Sequence, residues 1–393
     1  MTRIIIYTGK GGVGKTSIAS ATALASAIKG YKTLLLSTDS AHSTSDSFDT
    51  SIGPRPTKIY KNLWAQEIDV ITEIEDNWKD LSNYLAMLFS SIGLSDVKSK
   101  ELAILPGMDF VAALFNINRY IKNNDFDTII MDTAPTADTL RLLSFPNIAE
   151  WYFKRFFYVN KYATKVARAT MGKVMKTPLP TDNVFDSFEE IYGYFQSIQN
   201  ILTDPEITTV RLVVNPEKMV ISETQRAFTY LSLYDFTVEA IVINRVMPSN
   251  TGNNFFDIKQ KEQENNMKII EESFGDIYKL YAPMYSHEII GLDYLIKLAN
   301  DLFKNDDPLK VYSKEKSIHF IETKKNTTIS ILIPFIDENG VIEAYISHDI
   351  LHIRVGSYRR SIALPLSMAK SKIKEAKYKN QHLNISFDNG DKK

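Results

Sequence analysis

With 393 residues, 44% of them apolar and 24% charged, the chain has the composition of a globular protein of one large domain or two. A formal net charge of −1 provides no global field for nucleic acid or a membrane surface, and the complete lack of Cys excludes disulfides, thiolate zinc sites and thiol catalysis. No apolar run approaches membrane-spanning length, and the N-terminal residues lead straight into a buried-strand pattern, leaving no room for a signal peptide.

That first pattern, Ile4-Ile5-Ile6-Tyr7, predicts a short strand. Gly9-Lys10-Gly11-Gly12-Val13-Gly14-Lys15-Thr16 follows with the spacing G-x-x-x-x-G-K-T, and a helical pattern runs from Ser17 to about Ile28. Strand, glycine-rich turn and helix together are the setting of a phosphate-binding loop. The glycines let backbone N–H groups curl inward around a polyphosphate, and the helix start at Ser17 adds its positive end. Lys15 is expected to reach the β- and γ-phosphates and Thr16 to place its hydroxyl on Mg²⁺. The predicted cofactors are ATP and Mg²⁺, in a cytoplasmic enzyme.

Further short apolar runs lie at 33–37, 63–68, 128–131, 210–214, 238–243 and 277–281, most of them separated by helical stretches. This alternation predicts an α/β fold with a doubly wound, mostly parallel sheet, in which ligands bind beyond the carboxyl ends of the strands. Asp132 ends one such strand near the loop, where a carboxylate supporting Mg²⁺ is expected. Two helical regions, roughly 71–121 and 148–203, interrupt the alternation. The second contains residues 151–176, which hold seven Lys or Arg and no acid among many aromatics, with Met171 and Met175. From the residues alone, these helices are either a subdomain packing its own core or an adaptable apolar binding surface. From about Ser317 the pattern changes to short alternating strands around Thr327–Phe335, 351–355, 360–365 and 383–387, which predict a small β-sandwich. The expected domains are 1–308 and 315–388, joined by a linker at 304–308 and the residues just after it.

The loop, with its additional Lys10, resembles the deviant phosphate loop G-K-G-G-V-G-K-T of the MinD/ArsA superclass. Within it, Ser37-Thr38-Asp39-Ser40-Ala41-His42-Ser43-Thr44-Ser45-Asp46 and Asp132-Thr133-Ala134-Pro135-Thr136-Ala137-Asp138-Thr139-Leu140-Arg141 are similar to the two switch segments of the ArsA and tail-anchored-protein targeting ATPases. The resemblance implies a homodimer in which Lys10 reaches the partner's nucleotide. It also implies that Asp39 polarises the attacking water and holds a water on the metal, that Asp46 fills the second acidic position, and that Asp132 supports Mg²⁺. Asn244 would meet the base edge, and Pro283 with Met284 the base face. Pro216, Glu217, Glu223 and Thr224 match a further stretch near the nucleotide and the dimer interface.

This sequence departs from the family at Ser40, Ser43-Thr44 and Ala137-Asp138. It also lacks the family's C-x-x-C, so no zinc is expected, and the cysteine triad that binds arsenite. The C-terminal strands resemble the α-crystallin-like (small heat-shock) domain appended to some members. The implied function is a homodimeric Mg²⁺-ATPase that controls binding of hydrophobic membrane-protein helices, with at most transient membrane contact. The alternatives are the ATPase subunit of an arsenite or antimonite efflux pump, and a MinD-like regulatory ATPase.

Overall fold

The computed structural model of the chain describes residues 2–38, 43–69, 108–133, 196–248, 254–323, 326–336, 341–347, 350–356, 358–364 and 371–388, together with 72, 193 and 368. Asp39, the segment 134–141, the basic aromatic stretch 151–176 and most of both helical regions lie outside the described residues.

An eight-stranded sheet forms the larger layer. Its strands are β1 (Arg3–Thr8), β2 (Thr33–Ser37), β3 (Thr57–Tyr60), β4 (Leu63–Glu67), β5 (Thr128–Asp132), β6 (Thr208–Val214), β7 (Val238–Val246) and β8 (Tyr278–Pro283), arranged β3-β4-β2-β5-β1-β6-β7-β8. β3 is antiparallel to β4, and the other pairs are parallel. β1, β2, β5 and β6 are buried at every position, which is why they read as unbroken apolar runs rather than alternating ones. α1 (Lys15–Ile28) packs on β2 and β5 and against α6 (Leu292–Phe303), while α4 (Lys218–Leu233) packs on β6 and β7 and against α5 (Asn254–Phe274). Two further helices are α2 (Ser43–Phe48) and α3 (Met108–Asn123).

The C-terminal region is two antiparallel sheets. β9 (Ile318–Glu322), β10 (Asn326–Leu332), β14 (Lys372–Lys379) and β15 (His382–Asp388) form one, in the order β14-β15-β10-β9. β11 (Ile342–Ser347), β12 (Ile350–Val355) and β13 (Tyr358–Ala363) form the other. Alternate residues from both sheets, including Ile329, Ile331, Leu351, Ile353, Ile385 and Phe387, share one buried cluster. β9, β11 and β14 were not distinguished as strands in the sequence. β14 reads Lys-Ile-Lys-Glu-Ala-Lys-Tyr-Lys and lies at a sheet edge, where a lysine-rich, exposed strand discourages pairing with other chains.

The segment expected to be a linker is instead a strap bonded to the larger sheet. The Tyr31 hydroxyl donates to Asp307, Arg211 Nη2 to Lys310 O, Tyr312 N–H to Glu239 Oε2 and Thr237 Oγ1 to Glu315 O. Beneath it lies a fully buried ion pair, Arg211 Nε to Glu239 Oε1 at 2.8 Å, with Arg3 Nη2 on the other carboxylate oxygen at 2.9 Å. Arg211 Nη1 also donates to the Tyr7 hydroxyl. Leu233, the last residue of α4, is 1% exposed and belongs to the sandwich cluster rather than to the core of its own sheet.

Candidate functional site

β1 delivers the chain into the glycine-rich loop, and each end of the loop requires glycine for its own reason. Gly9 has φ +149°, and a Cβ there would lie 2.3 Å from Val213 O on neighbouring β6. Gly14 has φ +90°, and a Cβ there would lie 2.4 Å from Asn244 Nδ2. Gly12 also sits at positive φ, whereas Gly11 faces open space. Val13 is buried and pins the middle of the loop to the core. Replacing Gly9 by Ala should therefore weaken nucleotide affinity at least tenfold, because β6 backbone cannot retreat from the new methyl. Titration with a fluorescent ATP analogue reads this out, and an unchanged affinity would contradict the packing described.

Lys15 opens α1, and its Nζ folds back to donate to Lys10 O at 3.2 Å, across the loop. Thr16 and Ser17 follow in the first turn of α1 and line a cavity of about 590 Å³ that extends past Asn244 to Pro283, Met284 and Glu288. Asp132 ends β5 at 1% exposure and stands in register with Tyr7 of β1 and Ser37 of β2. Its backbone oxygen accepts from Thr38 N–H at 3.0 Å, which ties the start of the Asp39 segment to the strand that carries the buried carboxylate. The glycine-rich loop, Lys15, a hydroxyl at the helix start and a buried carboxylate at the end of the neighbouring strand have the chemistry for a polyphosphate with a divalent cation. Asp39 itself lies outside the described residues.

Two residues behave in ways the sequence did not suggest. The Asn244 amide is engaged with the loop, Nδ2 donating to Val13 O at 2.7 Å and Oδ1 accepting from Arg245 N–H at 2.9 Å. It thus braces the loop as well as facing the cavity. Glu67, unremarked in the sequence, ends β4 and accepts from Ser45 N–H at 2.8 Å and Ser45 Oγ at 3.0 Å. That anchors α2, which carries Asp46 on the cavity wall. An acid closing an apolar strand pattern was the available signal. Gly291 caps α6 at φ +84° and donates to Ser47 O, fastening the other wall to α2. Lys10 Nζ lies 3.2 Å from Glu223 Oε2 on α4, with both side chains part-exposed.

The sequence model of the anion-transporting ATPases, ArsA, matches residues 2–304, which is most of the chain and contains the loop and cavity just described. The chain belongs to the ArsA ATPase family. A second model, the HSP20-like domain found in ArsA proteins, matches residues 324–387, the span of most of the sandwich. Among relatives, a protein of Prosthecochloris vibrioformis provisionally named an arsenical pump-driving ATPase is 36% identical over 390 residues, covering 98% of this chain and 96% of its own. An Aquifex aeolicus protein with the same provisional name is 34% identical over 393 residues, covering 98% of this chain and 99% of its own. ATPase GET3 of Rhodotorula glutinis is 28% identical over 298 residues, covering 75% of this chain and 85% of its own. This chain is therefore an ArsA-type ATPase with an HSP20-like C-terminal region. Among its described residues, no helix is long and apolar enough to cross a membrane.

Proposed function

We propose that this ArsA-family ATPase acts as a cytoplasmic homodimer whose Mg²⁺-dependent ATP cycle opens and closes a helical surface for hydrophobic client helices. The observation that carries the dimer reading is the placement of Lys10. Its ammonium pairs with Glu223 of α4 at 3.2 Å and remains part-exposed, so it is free to be contacted by a second copy's nucleotide. The loop from Gly9 to Gly14 and Lys15 bind the phosphates, and Asn244, Pro283 and Met284 take the base end of the cavity. Thr16 and Asp132 would hold Mg²⁺, which supplies charge neutralisation at the phosphates when bound.

Asp39 orients water so that its oxygen bonds to the γ-phosphorus as the bond to the β-phosphate oxygen breaks. Lys10 of the partner subunit meets the charge that spreads over the equatorial oxygens. ADP and inorganic phosphate leave, the cross-subunit contacts to the γ-phosphate are lost, and the dimer opens.

The client reading is supported by the resemblance to targeting ATPases and by the Met- and aromatic-rich, basic stretch 151–176. Co-expression of the Asp39→Asn protein, stalled with ATP, with a tagged C-terminal transmembrane helix should yield a soluble complex. A charge-interrupted helix should not. Loss of discrimination between the two helices, in a protein that still binds ATP, would overturn client binding. The provisional name shared by the relatives favours a second reading, the energising subunit of an arsenical pump. Stimulation of ATP hydrolysis by arsenite or antimonite would select it, although this chain has no cysteine to ligate the metalloid.

A further inference from the structure

α4 touches both halves of the molecule at once. Near its start, Glu223 pairs with Lys10 of the loop at 3.2 Å. Its end is rooted in the sandwich. Thr229 Oγ1 donates to Pro334 O at 2.6 Å, the Tyr230 ring lies 4.6 Å from that of Tyr358, and Phe228 meets Phe335 edge-on. Leu233 enters the sandwich core. The next two residues continue the contact, since Arg360 of β13 sits 4.5 Å over the Tyr234 ring and Asp235 Oδ1 accepts from Ile318 N–H, the first residue of β9. From Glu223 to Leu233 is ten residues, about 15 Å of helix. No irregular segment intervenes, because Lys218–Leu233 is one continuous helix.

We propose that α4 couples the phosphate loop to the HSP20-like sandwich, so that nucleotide occupancy at the loop alters how tightly the sandwich is held. In the proposed dimer, a triphosphate on the second copy offers Lys10 several anionic oxygens in place of one half-exposed carboxylate, and the lysine leaves Glu223. The near end of α4 then loses its tie to the loop. A packed helix responds to such a loss by a small rigid shift rather than by bending, and the shift arrives at Thr229, Tyr230 and Leu233. Linkage makes the effect reciprocal, so anything that binds the sandwich and favours one position of α4 changes nucleotide affinity by the same factor. This inference rests on the loop being the nucleotide site and on Lys10 reaching the nucleotide of a second copy, and beyond that reading it assigns the sandwich a role in the nucleotide cycle.

The test is amide hydrogen exchange on the full chain, with and without a non-hydrolysable ATP analogue, alongside a fluorescence titration of the same analogue. In the wild type, saturating analogue should change exchange at the β10 and β13 amides at least threefold. In Glu223→Gln that nucleotide-dependent difference should vanish, while analogue affinity changes less than about fivefold, the scale of a part-exposed ion pair. Thr229→Val, which removes the bond to Pro334, should shrink the difference from the other end without touching the loop. Saturation of the wild type with no change in the sandwich would overturn the coupling alone. Failure of the wild type to bind the analogue would overturn the nucleotide site and the coupling together. A difference that persists undiminished in Glu223→Gln would show that α4 does not carry it.

Discussion

Replacing Lys10 by Ala should lower ATP turnover by about a thousandfold or more, the scale on which a cation supplied to the transferring phosphoryl group acts. Nucleotide affinity should move only a few-fold, because the binding contacts belong to other groups. The Gly9–Gly14 backbone and Lys15 remain, and Lys15 Nζ depends on the backbone oxygen of Lys10 rather than on its side chain. Loss of turnover alone would not tell a cis lysine from a trans one, but mixing does. A Lys10→Ala protomer keeps an intact Lys15, and a Lys15→Ala protomer keeps an intact Lys10. A mixed dimer of the two has one complete site if Lys10 acts across the interface, and none if it acts within its own chain. Turnover should therefore reappear on mixing two inactive proteins. Equal turnover in wild type and Lys10→Ala, or silence of the mixture under conditions where dimers exchange, would refute the trans role.

Glu239→Ala should cost about 3–5 kcal/mol of stability, as expected when one member of a buried ionic cluster is removed and its partners stay behind. Glu239 is fully buried and accepts from Arg211 at 2.8 Å, from Arg3 at 2.9 Å and from the Tyr312 amide. Its loss leaves two guanidinium groups in the sheet with no carboxylate between them. It also frees the strap at the point where the strap crosses β7. Denaturant unfolding followed by tryptophan fluorescence measures the loss, and Glu239→Gln should lie between the variant and the wild type, since it keeps an acceptor but not the charge. A shift below about 1 kcal/mol would mean that the cluster relaxes or hydrates on losing its anion.

The parts of the fold that were legible in the sequence are those where one physical requirement dominates. β1, β2, β5 and β6 are buried on both faces, so Ile4-Ile5-Ile6-Tyr7 and its counterparts stand out as apolar runs. The loop was legible because Gly9 and Gly14 satisfy steric demands that no other residue meets. What could not be read was set by contacts between distant segments. Nothing local marks Leu233 as a residue of the sandwich, since its apolar character serves either core equally well. The bracing role of Asn244 depends on Val13, 231 residues away. Arg211 and Glu239 are charged residues within two buried strands, and only the fold brings them together. The segment at 304–308 and just after it read as a linker because its bonds to the sheet run largely through its own backbone and through side chains elsewhere, which its composition does not specify.

The seating of Leu233 in the sandwich also bears on how such a chain can gain or lose its C-terminal half over evolutionary time. Leu233 is 1% exposed and owes its burial to strands that begin only at Ile318. A gene shortened at the end of α6 would encode a protein with Leu233 bared at the end of α4, beside the face of Tyr230 that Tyr358 covers. Loss of the sandwich is thus not a neutral deletion. It calls for a polar replacement at Leu233 beforehand, and a lineage that has kept an apolar residue there has a reason to keep the strands that cover it.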